Sequence, residues 1–241
     1  MKIQSFTDKG MVRDMNQDAY KTGLFREGGA WAVVCDGMGG VSGGQVASEI
    51  CVNEVSARIE KGYHQGMSMK SVKNLLVSAI TSANIKVYET AEENPEYLGM
   101  GTTVVALVVL NGFAAIAHVG DSRAYFISDD IKQITKDHSV VQYLIDLGRI
   151  TPEQAKTHPD RNVITRAVGV SSDVDVDVEI IPINQNEIVL ICTDGLYEYV
   201  SCDEMFDVVK NKDYDEPAKV LLDMANNAGG KDNITVVTVE G

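Results

Sequence analysis

The chain has 241 residues, 44% of them hydrophobic and 23% charged, with five prolines; this composition supports one large core or two smaller ones and excludes extended disorder. Acidic side chains outnumber basic ones 35 to 21, giving a formal charge of −14, which excludes generic nucleic-acid binding and leaves phosphate chemistry dependent on locally supplied positive charge. The first eight residues lack a signal-peptide core and no apolar stretch is long enough to span a bilayer, so a cytoplasmic protein without membrane insertion is expected.

In chain order, Asp14-Met15-Asn16-Gln17-Asp18 opens like a calcium-binding loop and then departs from it. Ala19 stands where the loop needs glycine and Phe25 where it needs a bidentate glutamate. Arg13, just ahead, is a candidate for a bidentate hold on phosphate, although an isolated arginine is more often a surface residue. Residues 31–35 form an apolar run that delivers Asp36-Gly37. The glycine-rich segment 37–44 nearly reads G-x-G-x-x-G, but Ser42 takes the last position and no P-loop lysine follows. Close backbone packing is expected there rather than a nucleotide cradle.

Val46, Ile50, Val55 and Ile59 mark a helix beginning in that segment. Val72, Leu75, Leu76, Ala79, Ile80, Ala83 and Val87 place a second, amphipathic helix over residues 71–92, stopped by Asn94-Pro95. Asn111-Gly112 between two apolar runs, 102–110 and 113–119, is a hairpin signal. The turn Gly120-Asp121-Ser122 then predicts a third meander strand over 123–128. Residues 139–172 read as a less regular insertion, with a short helix ending at Gly148 and another opened by Thr151-Pro152. The alternation Asp173-Val174-Asp175-Val176-Asp177 predicts a half-exposed strand.

Further on, the apolar run 188–193 delivers Asp194-Gly195, and Ser201-Cys202-Asp203-Glu204 is a capping box. Pro217 opens another helix carrying Leu221, Leu222 and Ala225, and Asp232-Asn233 precedes the last strand, 234–239. Antiparallel strands with helices inserted in pairs predict stacked sheets with helices outside. Cys35, Cys51, Cys192 and Cys202 lack any C-x-x-C spacing and read as small core residues of a reducing compartment.

Asp36, Asp121, Asp194 and Asp232 all stand at strand ends or starts. Any one of them is most simply a turn or cap residue, but four together suggest carboxylates gathered at one sheet edge, where they repel unless protonated or bridged by cations. An all-oxygen set favours Mg²⁺ or Mn²⁺, and glycine after Asp36 lets a backbone carbonyl come close to an ion. His118 reads as a core residue, His138 as ordering a loop and His64 as surface, while His158 falls in the insertion. No cysteine has C-x₅-R spacing, the nearest being Cys51 with Arg58 one position too far, and Asp177 breaks the aspartyl-nucleophile pattern. A covalent intermediate is therefore disfavoured, leaving a metal-activated water.

Together, Arg13-Asp14-Met15-Asn16-Gln17-Asp18, Val34-Cys35-Asp36-Gly37-Met38-Gly39-Gly40, Gly101-Thr102-Thr103, His118-Val119-Gly120-Asp121-Ser122-Arg123, Cys192-Thr193-Asp194-Gly195-Leu196 and Asp232-Asn233-Ile234-Thr235 resemble the metal-dependent protein serine/threonine phosphatases of the PPM, or type 2C, family in their bacterial single-domain form. The resemblance implies an α+β fold: an α-β-β-α sandwich of two stacked, mainly antiparallel sheets flanked by helix pairs. Residues 1–241 would form one catalytic domain, with a flap insertion at about 139–172.

It also implies a core of two Mn²⁺ or Mg²⁺ ions. Asp36 would bridge both, Asp194 and Asp232 would complete one, and the Gly37 carbonyl would join the other. Asp121 would serve a third ion, shared with Asp194. Asp18, Asn16 and Asn233 would act from the outer shell, and Arg13 would hold the substrate phosphate. The implied reaction is hydrolysis of phosphoserine and phosphothreonine monoesters by a metal-bridging water or hydroxide. Phosphorylated proteins would be the partners, including a Ser/Thr kinase and its substrates. Many relatives carry a histidine after Asp-Gly as a proposed general acid, whereas this chain has Met38. The competing expectation is a catalytically weak phosphoprotein-binding or metal-sensing module on the same scaffold. It would be marked by loss of Asp36, Asp194 or Asp232, and all three are present.

Overall fold

The computed structural model describes residues 1–26, 28–211 and 213–241. One sheet holds β1 (Lys2–Asp8), β7 (Arg123–Ile127), β8 (Ile131–Gln133), β10 (Ile188–Cys192) and β11 (Ile234–Glu240), in the order β1-β11-β10-β7-β8. The other is ordered β2-β3-β5-β6-β9, from β2 (Asp18–Leu24), β3 (Ala30–Met38), β5 (Val104–Leu110), β6 (Phe113–Val119) and β9 (Asp177–Pro182); short β4 (Gly101–Thr102) pairs with the end of β3. All these pairings are antiparallel.

Three apolar layers follow from strand alternation. Ala32, Val34, Leu107 and Ile116 meet Ile191, Val237 and Val239 between the sheets. The opposite face, with Trp31, Val33, Ala106 and Val108, is covered by α1 (Gly40–Gly62) and α2 (Met69–Glu93). The outer face of the first sheet, with Leu190, Cys192 and Val236, is covered by α6 (Cys202–Lys210) and α7 (Pro217–Asn227). Covered on both faces, β5 is buried at every position, as its unbroken apolar run requires. The expected α-β-β-α sandwich is the observed fold. Among the described residues, no helix is long and apolar enough to cross a membrane.

The hairpin forms as expected, with Asn111 and Gly112 both at positive φ and Leu110 opposite Phe113. The meander does not. β6 gives its second edge to β9, from Phe113↔Pro182 to His118↔Asp177, and the chain turns at Gly120 (φ 103°) into the other sheet, where β7 lies between β10 and β8. The strand expected over 173–177 does not form there: only Asp177 belongs to β9, which pairs with β6 from that residue onward to Pro182. Its alternation persists without a ladder: Asp173 and Asp175 are exposed, while Val174 and Val176 pack on the core. β1 and β2 add two sheet-edge strands whose half-buried, mixed side chains show neither alternation nor an apolar run.

The 139–172 segment carries α3 (Val140–Asp146) and α4 (Pro152–Ala155), the latter with its capping box formed. Its start is fastened by Val140 N–H to the Val163 carbonyl (2.8 Å), and its far end pairs with β4 through Thr102 and Val168. Cys35, Cys51 and Cys192 are buried as expected, whereas Cys202, at the start of α6, is exposed; all four are free thiols.

Candidate metal centre

Four of the predicted aspartates reach one end of the sandwich on strand ends. Asp36 lies near the tip of β3, in register with Asp18 at the start of β2. Its backbone is pinned on both sides: its N–H donates to Thr103 Oγ1 (3.0 Å), and its carbonyl accepts from Thr103 N–H and Thr102 Oγ1, both at 2.8 Å. Thr103 Oγ1 also contacts Ser122 Oγ at 2.7 Å, tying this tip to the sheet-switching turn that holds Asp121. A Cβ on Gly37 would fall 2.0 Å from the Gly44 carbonyl oxygen. Glycine is thus required for the start of α1 to close on β3, the close packing expected of the glycine-rich segment.

Asp194 opens a short helix, α5 (Asp194–Tyr197), directly after β10. Although an Asp-Gly pair after a strand reads as a turn, Gly195 is helical, and a Cβ there would come within 2.0 Å of the Asn233 carbonyl oxygen. Close approach of two backbones is its reason. Asn233 in turn organises the 9–17 loop: its Oδ1 accepts from Gln17 N–H (2.8 Å), and its Nδ2 donates to the carbonyls of Lys9 and Met15, each at 2.9 Å. That loop carries Arg13, whose guanidinium donates to Asp232 Oδ2 at 2.6 Å. Asn16 accepts from Asp18 N–H (3.1 Å) and donates to Thr7 Oγ1 (2.9 Å), which makes it a loop-shaping residue.

The electrostatics join these groups into one unit. Burial raises Asp36 well above the usual carboxylate range, and Asp18, Asp194, Asp121 and Asp232 raise it further. Burial likewise raises Asp194, with added repulsion from Asp121, Asp232 and Asp18. Asp121 is raised to about 6 by burial and by Asp137. Asp18 is raised to about 7 by burial, against the lowering effect of hydrogen bonds that its Oδ2 accepts from Thr235 Oγ1 (2.7 Å) and Thr193 Oγ1 (2.9 Å). The other oxygen of Asp18 and one oxygen of Asp194 are buried without a hydrogen-bond partner. Mutually repelling carboxylates with orphaned oxygens fit hard divalent cations, which would neutralise the charge and satisfy those atoms.

Several contributors carry no separate signal in the sequence. Thr235, in β11, and Thr193, between β10 and α5, hold Asp18 from the opposite sheet. Arg123 forms a bidentate pair with Asp137 (2.7 Å at its shortest) and lies 3.6 Å over the Tyr197 ring, whose hydroxyl donates to the Asp121 carbonyl at 3.1 Å. Arg123 closes the motif that holds Asp121 and Asp137 adjoins His138, but neither position announces the pairing between them.

A separate ligand-type cluster, His118, His138 and Asp177, is fitted for structure rather than for a metal. His138 Nδ1 accepts from Gly120 N–H (3.1 Å), which places its proton on Nε2, facing Asp177 Oδ2 at 3.2 Å. The Arg166 guanidinium bonds Asp177 Oδ1 at 2.9 Å and so supplies the positive charge that an ion would bring. His118 donates from Nε2 to the Lys136 carbonyl (2.9 Å), as a satisfied core histidine does.

A sequence profile described as protein phosphatase 2C matches residues 11–235. The serine/threonine phosphatase stp of Listeria innocua is 37% identical, over 100% of this chain and 96% of its own length. The crystal structure of the serine/threonine phosphatase Stp1 from Staphylococcus aureus superposes with a TM-score of 0.91 at 39% identity, covering 100% of this chain and 95% of that one. The catalytic domain of the serine/threonine protein phosphatase PstP, crystallised with two manganese ions, gives a TM-score of 0.85 at 30% identity, covering 99% and 97%. Agreement in fold and in sequence across nearly the whole length shows that the chain belongs to the protein phosphatase 2C family.

Proposed function

We propose that residues 1–241 form one catalytic domain of a protein serine/threonine phosphatase, with 139–172 as its flap, in which the carboxylate cluster holds Mn²⁺ or Mg²⁺. Asp36, Asp194, Asp232 and the Gly37 carbonyl would hold a two-ion core, and Asp121 with Asp194 a third ion; the manganese-bound relative supports this choice of ion. The observation that carries the reading is the mutual repulsion of the buried Asp36 and Asp194 with Asp121 and Asp232, with one oxygen each of Asp18 and Asp194 buried without a partner and Arg13 paired to Asp232. When bound, the divalent cations supply a nucleophilic water near neutral pH and positive charge for the phosphoryl oxygens.

The chain's own residues do the rest. Arg13, half-exposed on its loop, takes two phosphate oxygens and aligns phosphorus for in-line attack by water. Asp18 stays in the outer shell, its Oδ2 fixed by the two threonine hydroxyls and its other oxygen buried without a partner. Met38 has no proton to give, so the departing seryl or threonyl alkoxide is protonated from water. His138 is not its donor, since Asp177 and Gly120 engage both of its ring nitrogens.

The substrates are phosphoproteins, and a Ser/Thr protein kinase with its targets, in a reducing cytoplasm, is the partner set this reading favours. The four unpaired cysteines support that compartment. A merely binding or sensing module is not favoured, because Asp36, Asp194 and Asp232, whose loss would mark it, are all present. The test is Mn²⁺-dependent phosphate release from a phosphothreonine peptide by wild type, Asp36→Asn and Asp194→Asn. Turnover by wild type and a loss of about 10²-fold or more in each variant is expected; equal rates in all three overturn the reading.

A further inference from the structure

Beside the carboxylate centre runs an open cleft of about 250 Å³. Met38, two residues past Asp36, forms one wall, and the returning end of the 139–172 segment with the extended stretch before β9 forms the other. Its lining is mixed, with Met38, Ile164, Ala167, Val170 and Val174 supplying the apolar part of the floor between polar groups. A Cβ at Gly101 would lie 2.8 Å from Val170 Cγ2 and 3.0 Å from Met38 Cε, so glycine there lets both side chains settle over β4. Val170 nevertheless keeps 48% of its surface exposed.

The charge on the walls is one-sided. Arg166 borders the cleft, but its guanidinium is engaged by Asp177 Oδ1 at 2.9 Å and by the Asp175 carbonyl at 3.4 Å. Asp173 and Asp175 line the same space and are exposed. Among the described residues, no ion pair involves either of them. The cleft therefore joins apolar contact area to two unmatched carboxylates, and Met38 makes it continuous with the place where a phosphorylated side chain reacts. A lysine or arginine fits such a surface, with its alkyl stem on the floor and its charge at the rim.

Resting on the phosphatase reading, we propose that this cleft receives the substrate polypeptide next to the phosphorylated residue and selects a basic side chain there through Asp173 and Asp175. The same carboxylates reject acidic side chains, so the preference comes from both attraction and repulsion.

The experiment compares kcat/KM, with Mn²⁺, for phosphothreonine peptides in which Lys or Glu replaces Ala one position at a time, within about three residues on either side of the phosphothreonine. p-Nitrophenyl phosphate, which has no polypeptide, is measured alongside. The enzymes are wild type, Asp173→Asn/Asp175→Asn and Asp173→Lys/Asp175→Lys. Wild type should favour Lys over Ala by about 10-fold at one or two positions on a single side, as two exposed charge contacts allow. The Asn pair should abolish that preference and the Lys pair reverse it toward Glu, with p-nitrophenyl phosphate turnover equal in all three. Position-independent rates in wild type, or a Lys preference surviving in the Asn pair, overturn the cleft assignment while p-nitrophenyl phosphate turnover leaves the phosphatase reading standing. Absence of turnover of every substrate by wild type overturns the phosphatase reading itself.

Discussion

Arg13 donates a 2.6 Å hydrogen bond to Asp232 Oδ2, so the proposed phosphate clamp and a proposed cation ligand share one carboxylate. The two roles compete: a cation on Asp232 displaces the guanidinium toward solvent, where substrate phosphate meets it. Arg13→Ala should therefore tighten Mn²⁺ binding a few-fold while lowering kcat/KM for a phosphopeptide by about 10²-fold. Arg13→Lys should recover only part of the activity, because an ammonium cannot make the bidentate contact. Calorimetric Mn²⁺ titration beside steady-state kinetics checks both, and weaker Mn²⁺ binding by Arg13→Ala would contradict the competition.

The carboxylate cluster sets a pH dependence with a definite sign. Asp18 is held at about 7 and Asp121 at about 6, against ~3.9 in an unfolded chain. A raised carboxylate pKa means that the folded state binds the proton more tightly. Its stabilisation is thus complete below about pH 4 and is lost as pH rises through the folded values. In EDTA, the melting temperature should fall between about pH 4 and 7, and the gain from saturating Mn²⁺ should grow over the same interval. Thermal melts in the two buffers measure this; a gain independent of pH would count against the cluster.

Gly195→Ala tests the backbone contact behind Asp194. The new Cβ meets the Asn233 carbonyl oxygen, a main-chain atom that cannot swing away. Destabilisation of about 1–3 kcal/mol is expected, together with weaker Mn²⁺ binding, since Asn233 adjoins Asp232 and anchors the Arg13 loop. Urea midpoints and Mn²⁺ titrations report the two effects separately.

Asp137→Ala removes the partner of a mostly buried guanidinium that lies over Tyr197. A loss of about 3 kcal/mol is expected, with a smaller loss for Asp137→Asn, which keeps one acceptor for Arg123. Chemical denaturation of both variants provides the comparison.

Features that depend on neighbours in sequence are legible in the sequence alone. The apolar run into Asp36, the helical spacing of Val72 to Val87, the Asn111-Gly112 hairpin and the capping box at Ser201 all form as local chemistry dictates. The turn Gly120-Asp121-Ser122 was legible as a turn but not as a change of sheet, because that depends on β9 claiming the edge of β6 from far along the chain. Gly195 reads as a turn residue by itself, and only the backbone of Asn233 explains it. Asp18 shows the same limit at the site: its buried oxygen is held by Thr193 and Thr235, 175 and 217 positions away, and nothing near Asp18 announces them. The family resemblance supplied a role for Asp18; the structure supplies the hydroxyls that fix it.

The central claim, that these carboxylates form a cation centre, is tested most directly by calorimetric titration of Mn²⁺ into EDTA-stripped wild type and Asp36→Asn. Wild type should bind at least two ions. The Asn variant should bind them about 10²-fold more weakly while melting higher than wild type in EDTA near neutral pH, since a neutral amide avoids the cost of burying a carboxyl group that is ionised in the unfolded chain. Unchanged stoichiometry and affinity in Asp36→Asn would contradict the account.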